Sequence, residues 1–123
     1  MTPEGTESAD LRRRMVERQL AARGIRSQAV LAAMGRVRRE RYVPPELAEH
    51  AYDDGPLPIG ANQTISQPYI VAYMLDALEL RGGERVLEVA TVSGFVAAVL
   101  AEVGALGPLW RRGARPCQGR GGA

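Results

Sequence analysis

The stretch from Glu84 to Val103, ERVLEVATVSGFVAAVLAEV, constrains this chain more than any other. Arg85, Val86, Leu87, Glu88 and Val89 form an apolar, β-branched run, too short for a helix and interrupted by one acid near its end, which predicts a buried strand. Thr91, Val92, Ser93 and Gly94 supply a turn, and Phe95 to Val103 carries apolar residues on nearly every face, as a helix covered by a sheet does. A strand passing into a helix through small residues presents backbone N–H groups at the helix start, where partial positive charge suits an anionic or polar ligand group. The dinucleotide fingerprint is incomplete, because Ala90 and Val92 stand where glycine would be wanted and only Gly94 remains. Taken alone, the pattern leaves two readings, a cofactor loop and an ordinary strand–helix unit of a packed core.

The rest of the chain narrows the class. At 123 residues and 46% hydrophobic content it can bury the core of one domain. All sixteen basic residues are arginine, yet the formal net charge is only +2 and they are dispersed, which gives nucleic-acid binding little support. One cysteine, Cys117, excludes an internal disulfide, and with His50 far away in sequence neither residue reads as a metal ligand. No apolar run approaches the eighteen or so residues a membrane span requires, so the expectation is a cytoplasmic protein with no membrane partner.

In chain order, residues 1–9 are small, polar and acidic and read as a mobile tail. From Asp10, taken as an N-cap, Leu11, Met15, Val16 and Leu20 share a helical stripe that Gly24 ends, with Arg12 to Arg14 as a solvated face. Ser27 caps a second helix facing Val30, Leu31 and Met34 inward, and Pro45 opens a short third helix through Ala51. Residues 10–62 thus form a helical layer and a loop. Gly55, Pro56, Pro58 and Gly60 exclude any long regular element between Tyr52 and Ile65, and the adjacent Asp53 and Asp54 read as a solvated turn rather than paired catalytic carboxylates. Ser66 looks like the N-cap of a helix through Leu78, with Ile70, Val71, Met74, Leu75 and Leu78 inward. Its hydroxyl, beside free backbone N–H groups, could equally hold a carboxylate.

PLPIG, Pro56 to Gly60, and above all QTISQPYIVAYM, Gln63 to Met74, are long non-periodic strings. With them, the span from about Met15 to Glu102 resembles the N-terminal part of a protein-L-isoaspartate O-methyltransferase, a class I enzyme that uses S-adenosyl-L-methionine. The resemblance implies an α/β fold, a helical layer followed by the start of a Rossmann-like doubly wound sheet, with residues 63–103 beginning the cofactor-binding domain. It implies methyl transfer to the carboxylate of L-isoaspartyl residues in damaged proteins or peptides, which would be the partners. By position, Ser66 matches the active-site serine, and Thr64, Ile65, Gln67, Pro68 and Tyr69 line the same site. Glu88 matches the acid beside the cofactor, and Ala90, Thr91, Val92, Ser93 and Gly94 fall on the loop under its methionine part. The chemistry agrees with the residues at hand, since an aspartyl-type carboxylate, with a pKa of about 3.9, is already ionised at neutral pH and needs no strong base or metal.

Two departures accompany the resemblance. Side chains at Ala90 and Val92, where close approach or positive φ is expected, would cost on the order of one to a few kcal/mol. Residues 104–123, GALGPLWRRGARPCQGRGGA, read as an irregular Gly/Arg/Pro-rich tail in which nothing alternates like a strand, so the strand at Val86 to Val89 is expected to lack parallel partners. The tail reads as a shifted frame or truncated gene, or else as a genuine flexible tail. The chain is accordingly expected to be a truncated enzyme with weak or no activity, with a non-catalytic peptide-binding fragment and a non-functional remnant as alternatives.

Overall fold

A computed structural model describes residues 5–88 and 93–104 and, for the backbone alone, residues 106–109. Helix α1 spans Thr6–Arg14 and runs without a break into a π-helical turn, Met15–Leu20, and a 3-10 turn, Ala21–Arg23. Gly24 ends this rod at φ 99°, a left-handed conformation that glycine adopts without Cβ strain. The rod begins earlier than the sequence suggested: Thr6 to Ser8 are helical rather than tail, and Asp10 lies inside α1, where it pairs with Arg13 at 2.9 Å. Helix α2, Gln28–Arg36, starts at Ser27, whose Oγ accepts the Val30 N–H at 3.2 Å, as expected. Two 3-10 turns follow, Arg39–Tyr42 and Pro45–His50, the latter where a third helix was expected.

The stretch between Tyr52 and Ile65 holds no long regular element, as its prolines and glycines require, but its end forms a short hairpin. Strand β1, Leu57–Gly60, pairs antiparallel with β2, Gln63–Ile65, in the register Leu57 to Ile65 and Pro58 to Thr64. Both residues between them have positive φ, Ala61 at 54° and Asn62 at 59°, which bends the ribbon with the twist that tight hairpins prefer. Helix α3, Pro68–Leu78, then packs on α2 and on the π-helical turn. Its buried face holds Val71, Ala72 and Leu75, whereas Ile70, Met74 and Leu78 are exposed, contrary to their expected inward orientation. Apolar character marked the helix correctly but not which side of it the core would cover.

Strand β3, Arg85–Leu87, follows a turn in which both Gly82 and Gly83 have positive φ. The Glu84 carboxylate accepts the N–H groups of Arg81 and Gly82 at 2.8 Å each, which holds its pKa below the usual value. Helix α4, Phe95–Val103, leaves from Gly94 and lies on α2, tied there by Arg36 Nε donating to Glu102 Oε1 at 2.7 Å. Strand β4, Leu106–Leu109, pairs parallel with β3, Arg85 opposite Leu106 and Leu87 opposite Leu109. The expectation that β3 would find no parallel partner in its own chain, and that nothing in residues 104–123 forms a strand, is therefore corrected. The LGPL segment does not alternate, but a strand joined to its neighbour by a crossing helix is selected by that connection rather than by a period-two pattern.

One core joins these pieces, running from Met15, Leu20 and Ile25 through Met34, Val71 and Leu75 to Phe95, Val99 and Leu100. Polar groups are built into it. Arg12, expected on a solvated face, is only 7% exposed; its Nε donates to the Gly35 carbonyl at 2.8 Å and its Nη1 to the Tyr52 hydroxyl at 3.2 Å. That hydroxyl also accepts the Arg39 backbone N–H at 3.0 Å and donates to Glu40 Oε1 at 2.5 Å, so its one proton and two lone pairs are all used.

Candidate functional site

A cleft of about 130 Å³ opens between the end of the hairpin, the end of β3 and the start of α4. Thr64, Ile65 and Ser66 form one side, Glu88, Ser93 and Gly94 another, and Val71, Phe95 and Val96 its apolar lining. Ile65 is buried in the core, while Thr64 and Ser66 remain exposed at the opening. The sequence reading placed Ser66 as a helix cap, but Gln67 holds that position and no side chain caps α3. Pro68 explains the shift: the residue before a proline is pushed out of the helical region, and Gln67 accordingly has ψ 138° and stands outside the helix as its cap position. The Ser66 hydroxyl is thus not consumed by the helix, while its carbonyl accepts Arg39 Nη2 at 2.8 Å.

On the opposite side, Gly94 begins α4 with φ 86°, and Ser93 Oγ accepts the Phe95 N–H at 3.1 Å. A positive φ at Gly94 allows the backbone to turn sharply from the strand end into the helix, aiming the first-turn N–H groups toward the cleft end of the helix. Polar donors at one wall and apolar side chains beneath suit a ligand with a charged end and an apolar body.

Of the residues singled out by sequence, Thr64, Ile65, Ser66, Glu88, Ser93 and Gly94 come together around this cleft. Gln67, Pro68 and Tyr69 do not line it. Gln67 Nε2 donates to Asp54 Oδ1 at 2.8 Å, Pro68 is buried, and Tyr69 stacks beside Tyr73 at 5.9 Å with the Arg23 guanidinium 5.5 Å from its ring. Ala90, Thr91 and Val92, with Val89, lie outside the described residues, as does Cys117. The adjacent acids diverge as expected, Asp54 pairing with Arg23 and Asp53 with His50 at 2.9 Å. The Arg23 and Gln67 hydrogen bonds hold the Asp54 pKa below its usual value.

Val71, Phe95 and Val96 were missed as site residues. Phe95 and Val96 sit in the first turn after the small-residue loop, the position from which a helix must face whatever its N-terminus binds, so that signal was present in the sequence. Arg39 was missed too, and nothing in its surroundings, RVRRERY, marks it out from its neighbours.

The sequence profile of the protein-L-isoaspartate(D-aspartate) O-methyltransferases matches residues 11–107. The chain belongs to this family. A protein-L-isoaspartate O-methyltransferase of Methylorubrum populi is 68% identical over 94 residues, 76% of this chain and 44% of the relative. One from an Anaeromyxobacter species is 67% identical over 92 residues, 75% of this chain and 38% of the relative. The chain thus spans less than half the length of these curated relatives. A solved protein-L-isoaspartate O-methyltransferase superposes with a TM-score of 0.66 at 25% identity, covering 83% of this chain and 35% of that one. A Plasmodium falciparum structure, described as a candidate member of the same enzyme class in complex with S-adenosyl-L-homocysteine, superposes at 0.62 with 29% identity over 75% of this chain and 42% of the other. The fold is therefore the α/β methyltransferase fold, of which this chain supplies the helical layer and the first parallel strands. Among the described residues, no helix is long and apolar enough to cross a membrane, and no cluster of His, Cys, Asp or Glu could hold a metal ion.

Proposed function

We propose that the cleft is the methyl-transfer site of a protein-L-isoaspartate O-methyltransferase, acting on the carboxylate of L-isoaspartyl residues in damaged cytoplasmic proteins. The observation that carries this reading is the meeting of the TIS segment, Thr64 to Ser66, with the Ser93–Gly94 helix start across one cleft. S-adenosyl-L-methionine, when bound, supplies a methyl group on positively charged sulfur to an acceptor oxygen that is already ionised, so no proton moves. What is left to the protein is alignment and the exclusion of water.

The residues fit those tasks. Ser93, Gly94 and the first turn of α4 would offer N–H groups and a hydroxyl to the amino-acid end of the cofactor, with Glu88 beside it. Thr64, Ile65 and Ser66 face them, and the Ser66 hydroxyl, unspent on capping, is placed to orient the acceptor carboxylate. Gln67, Pro68 and Tyr69 support that loop from behind: Gln67 ties it to Asp54, and Pro68 anchors it in the core. Ile65, Val71, Phe95 and Val96 supply the dry floor. Transfer would break the S–CH3 bond and form an O–CH3 bond, turning an anionic carboxylate and a cationic sulfonium into a neutral ester and a neutral thioether, and such charge cancellation is favoured where water is scarce.

The cleft is smaller than the roughly 300–1,000 Å³ that encloses a whole ligand of drug size. At about 130 Å³ its walls hold a part of the cofactor, and the 123-residue chain is expected to transfer methyl groups weakly by itself. The test is radiolabelled methyl transfer to an isoaspartyl peptide and to the same peptide with ordinary aspartate. It is run on this chain and on a chimaera in which the sequence after residue 107 follows the Methylorubrum populi relative. Isoaspartyl-specific incorporation by the chimaera, far above that of the chain alone, supports the reading. No incorporation by either protein, or equal labelling of both peptides, refutes it.

A further inference from the structure

Arg39 is wholly buried, and among the described residues it has no carboxylate partner. Its guanidinium is nevertheless held on three sides. Nε donates to the Ala51 carbonyl at 2.6 Å, Nη2 donates to the Ser66 carbonyl at 2.8 Å, and the plane stands over the Phe95 ring at 4.9 Å. Nη1 is buried with no acceptor among the described residues. Desolvation lowers the pKa of the group to about 10, which still leaves it charged at neutral pH.

A cation in this position is a poor space-filler, since an apolar side chain of similar volume avoids the desolvation cost. What the guanidinium adds is direction. Its rigid fork meets two carbonyls at a fixed angle while its face stacks on an aromatic ring, a combination that a lysine cannot reproduce. The groups it joins are instructive: Ser66 stands at one side of the cleft, just before α3, and Phe95 in its floor, opening α4. Ala51 belongs to neither and fixes the guanidinium to the helical layer.

We propose that Arg39 is a positioning residue of the cleft, clamping the Ser66 backbone against the first turn of α4 so that the Ser66 hydroxyl and the helix N-terminus keep their spacing. This rests on the methyl-transfer reading for its consequence, but the clamp itself can be measured without any ligand.

Arg39→Lys keeps the charge and loses the fork; Arg39→Met removes both. Hydrogen exchange is followed at the amides of Ile70 and Val71, which donate to the Gln67 carbonyl, and of Ala98, which donates to Gly94. Leu31, whose amide donates to Ser27 in α2, is the control. In Arg39→Lys the three cleft amides are expected to exchange at least about tenfold faster while Leu31 stays within about twofold, the pattern of a local opening. S-adenosyl-L-homocysteine, titrated calorimetrically, is expected to bind about tenfold more weakly to Arg39→Lys, the order of one lost charge-assisted hydrogen bond. Unchanged cleft amides in both variants, Leu31 accelerating in step with them, or wild-type affinity in Arg39→Lys each overturn the proposal. So does failure of both variants to fold, which assigns Arg39 to general stability. If the unsubstituted protein does not bind S-adenosyl-L-homocysteine, the methyl-transfer reading loses support while the exchange comparison still decides the clamp.

Discussion

Removing one oxygen atom, in Tyr52→Phe, tests the polar part of the core most directly. The hydroxyl serves Arg12, Glu40 and the Arg39 backbone N–H together, at 3.2, 2.5 and 3.0 Å. Hydrogen bonds to charged groups contribute about 1.5–3 kcal/mol each and a neutral one about 1, so three lost together set an upper figure of roughly 4–7 kcal/mol. Part is recovered, because Arg12 Nη1 already lies 3.9 Å from Glu40 Oε1 and the two can close directly. The expected net loss is therefore about 3 kcal/mol, measured by urea denaturation, where an m-value of about 2 kcal/mol/M turns it into a midpoint shift of about 1.5 M. Alkaline pH gives a second readout. Burial, and next the hydrogen bond to Glu40, raise the Tyr52 pKa above its ordinary 10.0. The folded protein thus keeps this proton where the unfolded chain has released it. Its stabilising effect is complete below pH 10 and is lost as pH rises from there toward the folded-state value, at up to about 1.4 kcal/mol per pH unit. The gap between wild type and variant should consequently narrow above about pH 10. A loss under about 1 kcal/mol at neutral pH, or a gap that stays constant as the phenol titrates, would refute this account of the network.

Other substitutions probe separate features. Ala61→Gly relieves a left-handed alanine at φ 54° in the hairpin turn and should raise stability by about 0.5–1 kcal/mol in the same denaturation assay. Val71→Ala, at a residue 1% exposed, should cost about 1–3 kcal/mol, whereas Met74→Ala, at 49%, should stay within about 0.5 kcal/mol; equal losses would contradict the observed orientation of α3. Restoring glycine at Ala90 and Val92 together should tighten S-adenosyl-L-homocysteine about tenfold or more by calorimetry, if those side chains cost the one to a few kcal/mol inferred from the turn.

Local chemistry made much of this architecture readable. The Ser27 cap, the Gly24 stop and helix α4 each depend on neighbours within a few residues, and each is found where its own segment predicted. Errors arose where distant residues decide. Arg12 looks like its neighbours Arg13 and Arg14 until Tyr52 and Gly35 are brought beside it from 40 and 23 residues away. Ile70 and Met74 look as apolar as Val71 and Leu75, and only the packing of α2 and the π-helical turn against one side of α3 separates them. At the site, the unusual string around Ser66 carried the resemblance, but its backbone partner Arg39 is set by tertiary packing and had no local mark.

The Tyr52 hydroxyl has a kinetic corollary. It gathers α1, the turn after α2 and the segment leading to the hairpin at a single atom, so docking the Tyr52 segment on only one of the other two keeps Arg12 and Glu40 apart and leaves one of them short of a partner. Half-assembled arrangements are thereby penalised on both the folding and the unfolding route. The amino-terminal half should accordingly open and close in one concerted event, even though its helices are individually short enough to flicker in isolation.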